Sequence, residues 1–336
     1  MVILDDTGLP DRVGGLEIVR RVGRRVITHA VHDIDGTHSL IRDWPPVMSL
    51  VLHYAMTSGL PDDFDSPENL ARLVARVGAE ALPETDRYCV ESAGLSALTQ
   101  MEWAVRRGLE EGSVRLAGGP LSAEEAETNS EIIRRIWQGQ ERFPDLPESA
   151  RVSAYLARQT PRLFRLYEEV LNQASRDRNV ARAREDPEAW RVPGSLALLA
   201  RLHRAGVKSY FVTGAVTTDA DPPTGMLEEV LAVGIEVGPG RLVEALWGSS
   251  WDRKMPKDEV MQELLSELAV SGASVLVIGD GRSEVQAGVQ LGAAVMSRLP
   301  VEAKRQRELH RGLGTNYLVP DYTEPALTRL LRPEEE

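Results

Sequence analysis

The chain has 336 residues, 42% of them hydrophobic, and a formal net charge of -12. That length and apolar content suffice for a sizeable core, in one large domain with an insertion or in two domains, and the acidic balance disfavours non-specific binding to nucleic acid or to an anionic membrane. Cys89 is the one cysteine, which excludes an intrachain disulfide framework and a cysteine-rich zinc cluster. No run approaches the roughly 20 apolar residues of a membrane span. The first six residues lack the basic and apolar regions of a signal peptide, so a soluble, cytoplasmic setting is expected.

In chain order, residues 16–19 suggest a short strand or helix. The run 26–31 is rich in β-branched residues and reads as a buried strand, ending in His32-Asp33-Ile34-Asp35-Gly36-Thr37. Side chains two apart on an extended backbone point to one side, and Gly36 allows a sharp turn, so both carboxylates can converge on one ligand. An ordinary Asp-rich turn uses the same residue types. His29 and His32 flank this strand and read as satisfied or merely packed histidines rather than metal ligands. From 43 to 190 the pattern is helical with almost no strand signal. Pro45 and Pro46 suit a helix start. Ser66-Pro67-Glu68 is an N-cap followed by Pro at N1, and Leu70, Leu73, Val74 and Val77 recur at helical spacing. Residues 100–109 and 150–172 read as further helices, and Ser122 with Glu125 has capping-box spacing. Trp44, Trp103, Trp137 and Trp190 read as helix-packing residues.

The pattern changes at Pro193. A helix over 195–205 closes at Gly206, a strand over 207–212 ends at Thr213-Gly214-Ala215, and a helix follows over 226–233. Next come a loop with Trp247 and Trp251, a helix over 257–269, and a strand over 275–278 ending at Gly279-Asp280-Gly281. A helix from Ser283, strands at 293–296 and 317–319, and a helix over 324–331 complete the chain. Strands alternating with helices predict an α/β fold with a Rossmann-like parallel sheet. Its core is expected from residues 1–42 and 191–336, interrupted by an all-helical insertion over 43–190. Open parallel sheets bind ligands beyond the carboxyl ends of their strands, and Asp33, Thr213 and Asp280 each stand at such an end.

These residues fit phosphoryl transfer, which needs a nucleophile, a proton donor, donors for the equatorial oxygens and countercharge. Asp33 is the candidate nucleophile, giving an aspartyl-phosphate, and Asp35 the candidate general acid and base. Thr213 offers a hydroxyl, and Gly214 a backbone that approaches phosphate closely. Lys257 supplies countercharge. Asp280, Asp33 and the main-chain carbonyl of Asp35 make a sparse oxygen site suited to Mg2+.

The set resembles the haloacid dehalogenase-like (HAD) hydrolase superfamily. Asp33-Ile34-Asp35-Gly36-Thr37 matches its first motif, Thr213 with Gly214 its second, Lys257 its third, and Gly279-Asp280-Gly281-Arg282-Ser283-Glu284 its fourth. Lys254 lies three residues from Lys257, which is preferred because it opens the helix leading into the fourth-motif strand. The resemblance implies a C1-type cap over 43–190 that selects the substrate, and Mg2+ held by Asp33, Asp35, Asp280 and Glu284. Two positions depart from the family pattern: His38 stands where Leu is usual, and Glu284 where the fourth motif usually ends in Asp. Glu284 is expected to hold metal waters or to pair with Lys257. An acid at position 35 implies phosphatases and phosphomutases rather than dehalogenases or ATPases, and the absence of Lys between 43 and 190 argues against the phosphonate-cleaving subclass. The expected activity is Mg2+-dependent hydrolysis of a small phosphorylated metabolite, for instance a sugar phosphate. The alternatives are a phosphotransferase or phosphomutase, and a non-catalytic module binding a phosphorylated ligand.

Overall fold

The computed structural model describes residues 1–41, 44–92, 94–217, 223–249 and 256–334, with the backbone alone at Val216. Among these, an α/β unit takes in residues 1–41, 180–249 and 256–334, and a helical unit lies within 44–179. Residues 180–190, expected with the insertion, group with the α/β unit. No helix among the described residues is long and apolar enough to cross a membrane.

The α/β unit opens with β1 (Val2–Asp5), β2 (Arg12–Val13), β3 (Leu16–Ile18), β4 (Arg24–Ile27) and β5 (His29–His32). The run expected as one strand over 26–31 is divided at Thr28: β4 pairs antiparallel with β1, and β5 enters a parallel sheet. The Thr28 N–H donates to the Ser274 carbonyl at 3.0 Å, and Val26 is 40% exposed. β-branched content marked both strands but not the break, because Thr28 and Val26 suit a half-exposed strand as well as a buried one.

The helical unit holds α1 (Trp44–Ser58), α2 (Pro67–Val74), α3 (Pro83–Glu91), α4 (Ala97–Glu111), α5 (Ala123–Trp137) and α6 (Ala150–Leu171). A π-helical turn over Asn172–Arg176 leads into α7 (Asp177–Glu185), which runs on into the α/β unit. The caps read from sequence are present. Ser66 accepts from the Asn69 N–H ahead of Pro67, and Ser122 and Glu125 exchange both bonds of a capping box. Leu70, Leu73, Val74 and Val77 do not share one buried face: Leu73 is among the buried residues of α2, whereas Val77 lies beyond its end. Tyr88 stacks on Trp103 with ring centroids 3.7 Å apart, and Trp137 meets both edge-on. Trp103 and Trp137 therefore pack helices together.

The chain then builds α8 (Ser195–Arg204), β6 (Lys208–Val216), α9 (Gly225–Ala232), β7 (Ala245–Ser249), α10 (Lys257–Glu267), β8 (Val275–Gly279) and α11 (Arg282–Gln290). It closes with β9 (Ala294–Arg298), α12 (Lys304–Leu313), β10 (Tyr317–Val319), α13 (Ala326–Leu330) and β11 (Leu331–Pro333). Two expectations are corrected. Residues around Trp247 form the edge strand β7, parallel to β6, rather than a loop. The C-terminal helix ends at Leu330, and β11 adds antiparallel to β1, because pairing with β1 captures the chain where Pro333 would interrupt a helix.

The larger sheet has the order β2-β3-β10-β9-β8-β5-β6-β7. The six strands from β10 to β7 run parallel, and β3 and β2 add an antiparallel hairpin at one edge. Alternation sends side chains to two cores. Leu276 and Ile278 join Leu198 and Leu202 of α8, whereas Val275 and Val277 join Val260 and Leu264 of α10. Burial on both faces explains why β8 reads as a continuous apolar run.

Candidate active site

His32 at the end of β5 stands opposite Phe211 of β6 and Ile278 of β8. Asp33 follows directly, its N–H donating to the Ile278 carbonyl at 2.9 Å. Thr213 and Asp280 lie two residues beyond those partners on the neighbouring strands, so the three expected positions share the carboxyl rim of the sheet. The turn after Asp33 is closed by the N–H groups of Thr37, His38 and Ser39, which all donate to the Ile34 carbonyl at 2.8–3.1 Å. Gly36 supplies the positive φ, 70°, that this turn requires. Ile34 points into the core beside Phe211.

Lys257, the first residue of α10, is 4% exposed. Its ammonium donates to Asp33 Oδ1 at 2.7 Å and to Glu284 Oε1. Glu284 is fully buried in the first turn of α11. Gly279 and Gly281 make room for it, since a Cβ on Gly279 would stand 2.8 Å from Glu284 Cγ and one on Gly281 would meet Oε2. The glycines flanking Asp280 thus do more than turn the chain. Of the two options for Glu284, pairing with Lys257 is realised, while its Oε2 is buried with no hydrogen-bond partner. The alternative lysine, Lys254, lies outside the described residues.

Burial pushes the Asp33 carboxyl up to about 7; Lys257 opposes this, and the Glu284 and Asp280 charges add to it. The Lys257 ammonium is held above its ordinary range: burial acts against its charge, but the Asp33 and Glu284 carboxylates outweigh that. Asp280 Oδ1 accepts from the Thr37 hydroxyl at 3.4 Å, which ties the turn after Asp33 to the loop after β8. The buried Thr213 hydroxyl accepts from the Ala215 N–H at 3.1 Å. It shares the rim with Asp33 through strand order rather than through a hydrogen bond.

Among the described residues, no group of three or more His, Cys, Asp or Glu is disposed to hold a metal ion. The four acids expected as ligands are therefore not gathered into one cluster. Glu284 is committed to Lys257, whereas Asp33 and Asp280 are near enough for the charge of one to disfavour the charge of the other. Mg2+ is commonly held by one or two carboxylates, keeping its waters and taking substrate phosphate oxygens. The Asp33–Asp280 pair fits that sparse mode.

Several residues of this neighbourhood had no local sequence signal. The Arg298 guanidinium donates to the Gly36 carbonyl at 3.0 Å, and the Tyr322 hydroxyl to the Thr37 carbonyl at 3.0 Å. Beneath the turn runs a buried chain. His38 Nδ1 meets Ser195 Oγ at 2.6 Å, His38 Nε2 meets His32 Nδ1 at 3.0 Å, and His32 Nε2 meets Ser209 Oγ at 3.3 Å. Burial pushes His32 down to about 3 and His38 well below its ordinary value, so both are neutral and each carries one N–H to share along the chain. His38 is thus a hydrogen-bonded anchor beneath the turn. His29, as expected, is satisfied locally by the Thr28 hydroxyl at 2.8 Å.

No family model matches the chain, and no curated protein sequence does. The solved structures it resembles include a predicted phosphatase from Clostridium acetobutylicum, 13% identical, with 91% of this chain and 99% of that chain covered and a TM-score of 0.46. β-Phosphoglucomutase from Clostridium difficile is 12% identical, with 89% of this chain and 93% of that chain covered and a TM-score of 0.44. A phosphonoacetaldehyde hydrolase-like protein from Oleispira antarctica is 12% identical, with coverage of 90% and 91% and a TM-score of 0.46.

Proposed function

We propose that this chain is a HAD-type phosphoric monoester hydrolase acting on a small phosphorylated metabolite, with Mg2+ as cofactor and the helical insertion selecting the substrate. The observation that carries this reading is the buried Lys257 ammonium joined to Asp33 and Glu284, at the rim where Asp280 is hydrogen-bonded to the Thr37 turn. A lone Asp-rich turn has no use for a buried lysine drawn from a helix 224 residues away.

Asp33 acts as the nucleophile. Its ionised oxygen bonds to phosphorus while the phosphorus–oxygen bond to the leaving alcohol breaks, and Asp35, protonated at that stage, gives its proton to that oxygen. Water then attacks phosphorus and yields its proton to Asp35, the Asp33–phosphorus bond breaks, and inorganic phosphate leaves. Lys257 keeps Asp33 Oδ1 in place and offsets the repulsion between a carboxylate and a phosphate dianion. The Thr213 hydroxyl and the Gly214 backbone receive phosphoryl oxygens. Mg2+, when bound by Asp33, Asp280 and the Asp35 carbonyl, supplies further charge neutralisation.

Phosphate release from a panel of phosphorylated metabolites, with Mg2+ or with EDTA, tests this on the native chain and on Asp33→Asn. Release that needs Mg2+ and is lost in the variant is expected. Transfer of the group to an added alcohol in preference to water would favour the phosphotransferase reading. Binding of phosphorylated compounds without turnover would leave a ligand-binding module.

A further inference from the structure

The β2–β3 edge of the larger sheet carries a second charged feature. A cavity of about 360 Å3 opens between this hairpin and α12, with β10, β9 and β8 intervening between β3 and the strand that leads to Asp33. Four cationic side chains line it, Arg12, Lys304, Arg307 and Arg311, against two carboxylates, Glu17 and Glu308. That is a local excess of two positive charges on a chain whose formal charge is -12.

Glu17 alone does not account for so many cations. Arg311 clasps it through Nε at 2.8 Å and Nη2 at 2.9 Å, which already satisfies a carboxylate in the bidentate manner. Arg307 and Arg12 stand further off, at 3.5 and 3.6 Å. Arg307 is 8% exposed and is held from behind by the Leu299 carbonyl at 2.8 Å, so one of the four cations is rigidly placed. Lys304 forms no ion pair among the described residues. It also opens α12, whose first turn has no acidic residue, and the helix dipole makes a cation there unfavourable. An unpaired lysine added to that basic cluster against the helix dipole is the pattern expected where function overrides stability. Leu16 and Val301 add apolar wall, and the volume lies at the lower end of the small-molecule range.

We propose that this cavity binds a small multivalent oxyanion, a metabolite bearing phosphate or clustered carboxylate groups, independently of the candidate active site and of Mg2+. Calorimetry of the full chain with inorganic pyrophosphate or with citrate, in buffer freed of divalent cations by a chelating resin, tests it, and hydrogen exchange locates the protected segments. Saturable binding is expected with protection over 12–17 and 300–311, retained in Asp33→Asn. Losing one charge-assisted contact weakens such binding by about tenfold, and that is the effect expected of Lys304→Ala and of Arg12→Ala. Both residues are exposed, so folding should survive, and circular dichroism checks that it does. The probe that binds identifies phosphate or carboxylate as the source. The proposal is overturned if neither probe saturates at millimolar concentration, if both folded variants bind as the native chain does, or if protection falls only on the Asp33 turn.

Discussion

Removing the Lys257 ammonium should unbalance the two carboxylates that it joins. Lys257 is 4% exposed and its partners Asp33 and Glu284 are 7% and 0% exposed, so solvent screens the trio little. Breaking a buried ion pair by deleting one partner costs about 3–5 kcal/mol. For a cooperative unit of this size, that corresponds to a loss of about 6–20 °C in Tm. Lys257→Met is therefore expected to unfold markedly earlier than the native chain at pH 8. The pH dependence carries its own sign. Without the ammonium, Asp33, already at about 7, rises further above its unfolded value, so the native state of the variant holds the proton more tightly than the unfolded state does. A raised carboxyl contributes stability at low pH that disappears as pH rises through the folded value, so the deficit should shrink between pH 8 and pH 5.5. The double variant Lys257→Met/Glu284→Gln removes the like charge beside Asp33 and should recover part of the loss. Thermal unfolding of the three proteins at both pH values provides the assay. A native-like Tm at pH 8, or a deficit equal at the two pH values, would refute the reasoning.

Acid should weaken the buried histidines. His32, pushed down to about 3, and His310, pushed down to about 4, charge more readily when unfolded, so their stability is full above about 6.5 and is lost as pH falls toward those values. Each such histidine contributes a slope approaching 1.4 kcal/mol per pH unit in that window. His38→Leu should flatten the stability–pH curve between pH 6.5 and 5, and an unchanged slope would count against a neutral His38. Mg2+ is expected to raise the Tm of the native chain but not that of Asp280→Asn, because the ion relieves the repulsion between residues 280 and 33; equal shifts would argue against that pair as ligands. Gly194→Ala should cost about 2 kcal/mol or more in thermal or chemical unfolding, since φ there is 78° and the added Cβ would lie 2.5 Å from the Tyr322 carbonyl carbon. A neutral substitution would mean that the segment shifts freely.

The parallel strands were legible where both faces are buried. β8 carries an unbroken apolar run and β5 a buried Ala30-Val31 pair between two histidines, and their ends marked Asp280 and Asp33. The edges were harder. β1 and β11 are short and draw their partners from opposite ends of the sequence, so no local period announces them. β7 is half-exposed, and its composition resembles a loop. The caps of α2 and α5 were readable because each is a contact over three residues, whereas α3, with Pro83, Glu84, Thr85 and Asp86 at its start, has too polar a sequence for an apolar stripe. At the candidate site, motif spacing led to Asp33, Lys257 and Glu284. It could not reach Arg298, Tyr322 or Ser195, whose partners lie 157 to 285 residues away. Nor could it show that Glu284 would satisfy the lysine rather than join an acidic cluster.

The division at Thr28 places Asp33 at the end of a ribbon stitched into two fabrics. Sliding β5 by one residue would invert its side chains, and it would also drag β4 out of step with β1, to which it is matched from Val2–Ile27 to Asp5–Arg24. A four-residue strand is a weak ruler by itself. Fastened at both ends of a single hinge residue, it keeps its place to within one notch, and the carboxylate at its tip inherits that exactness of position.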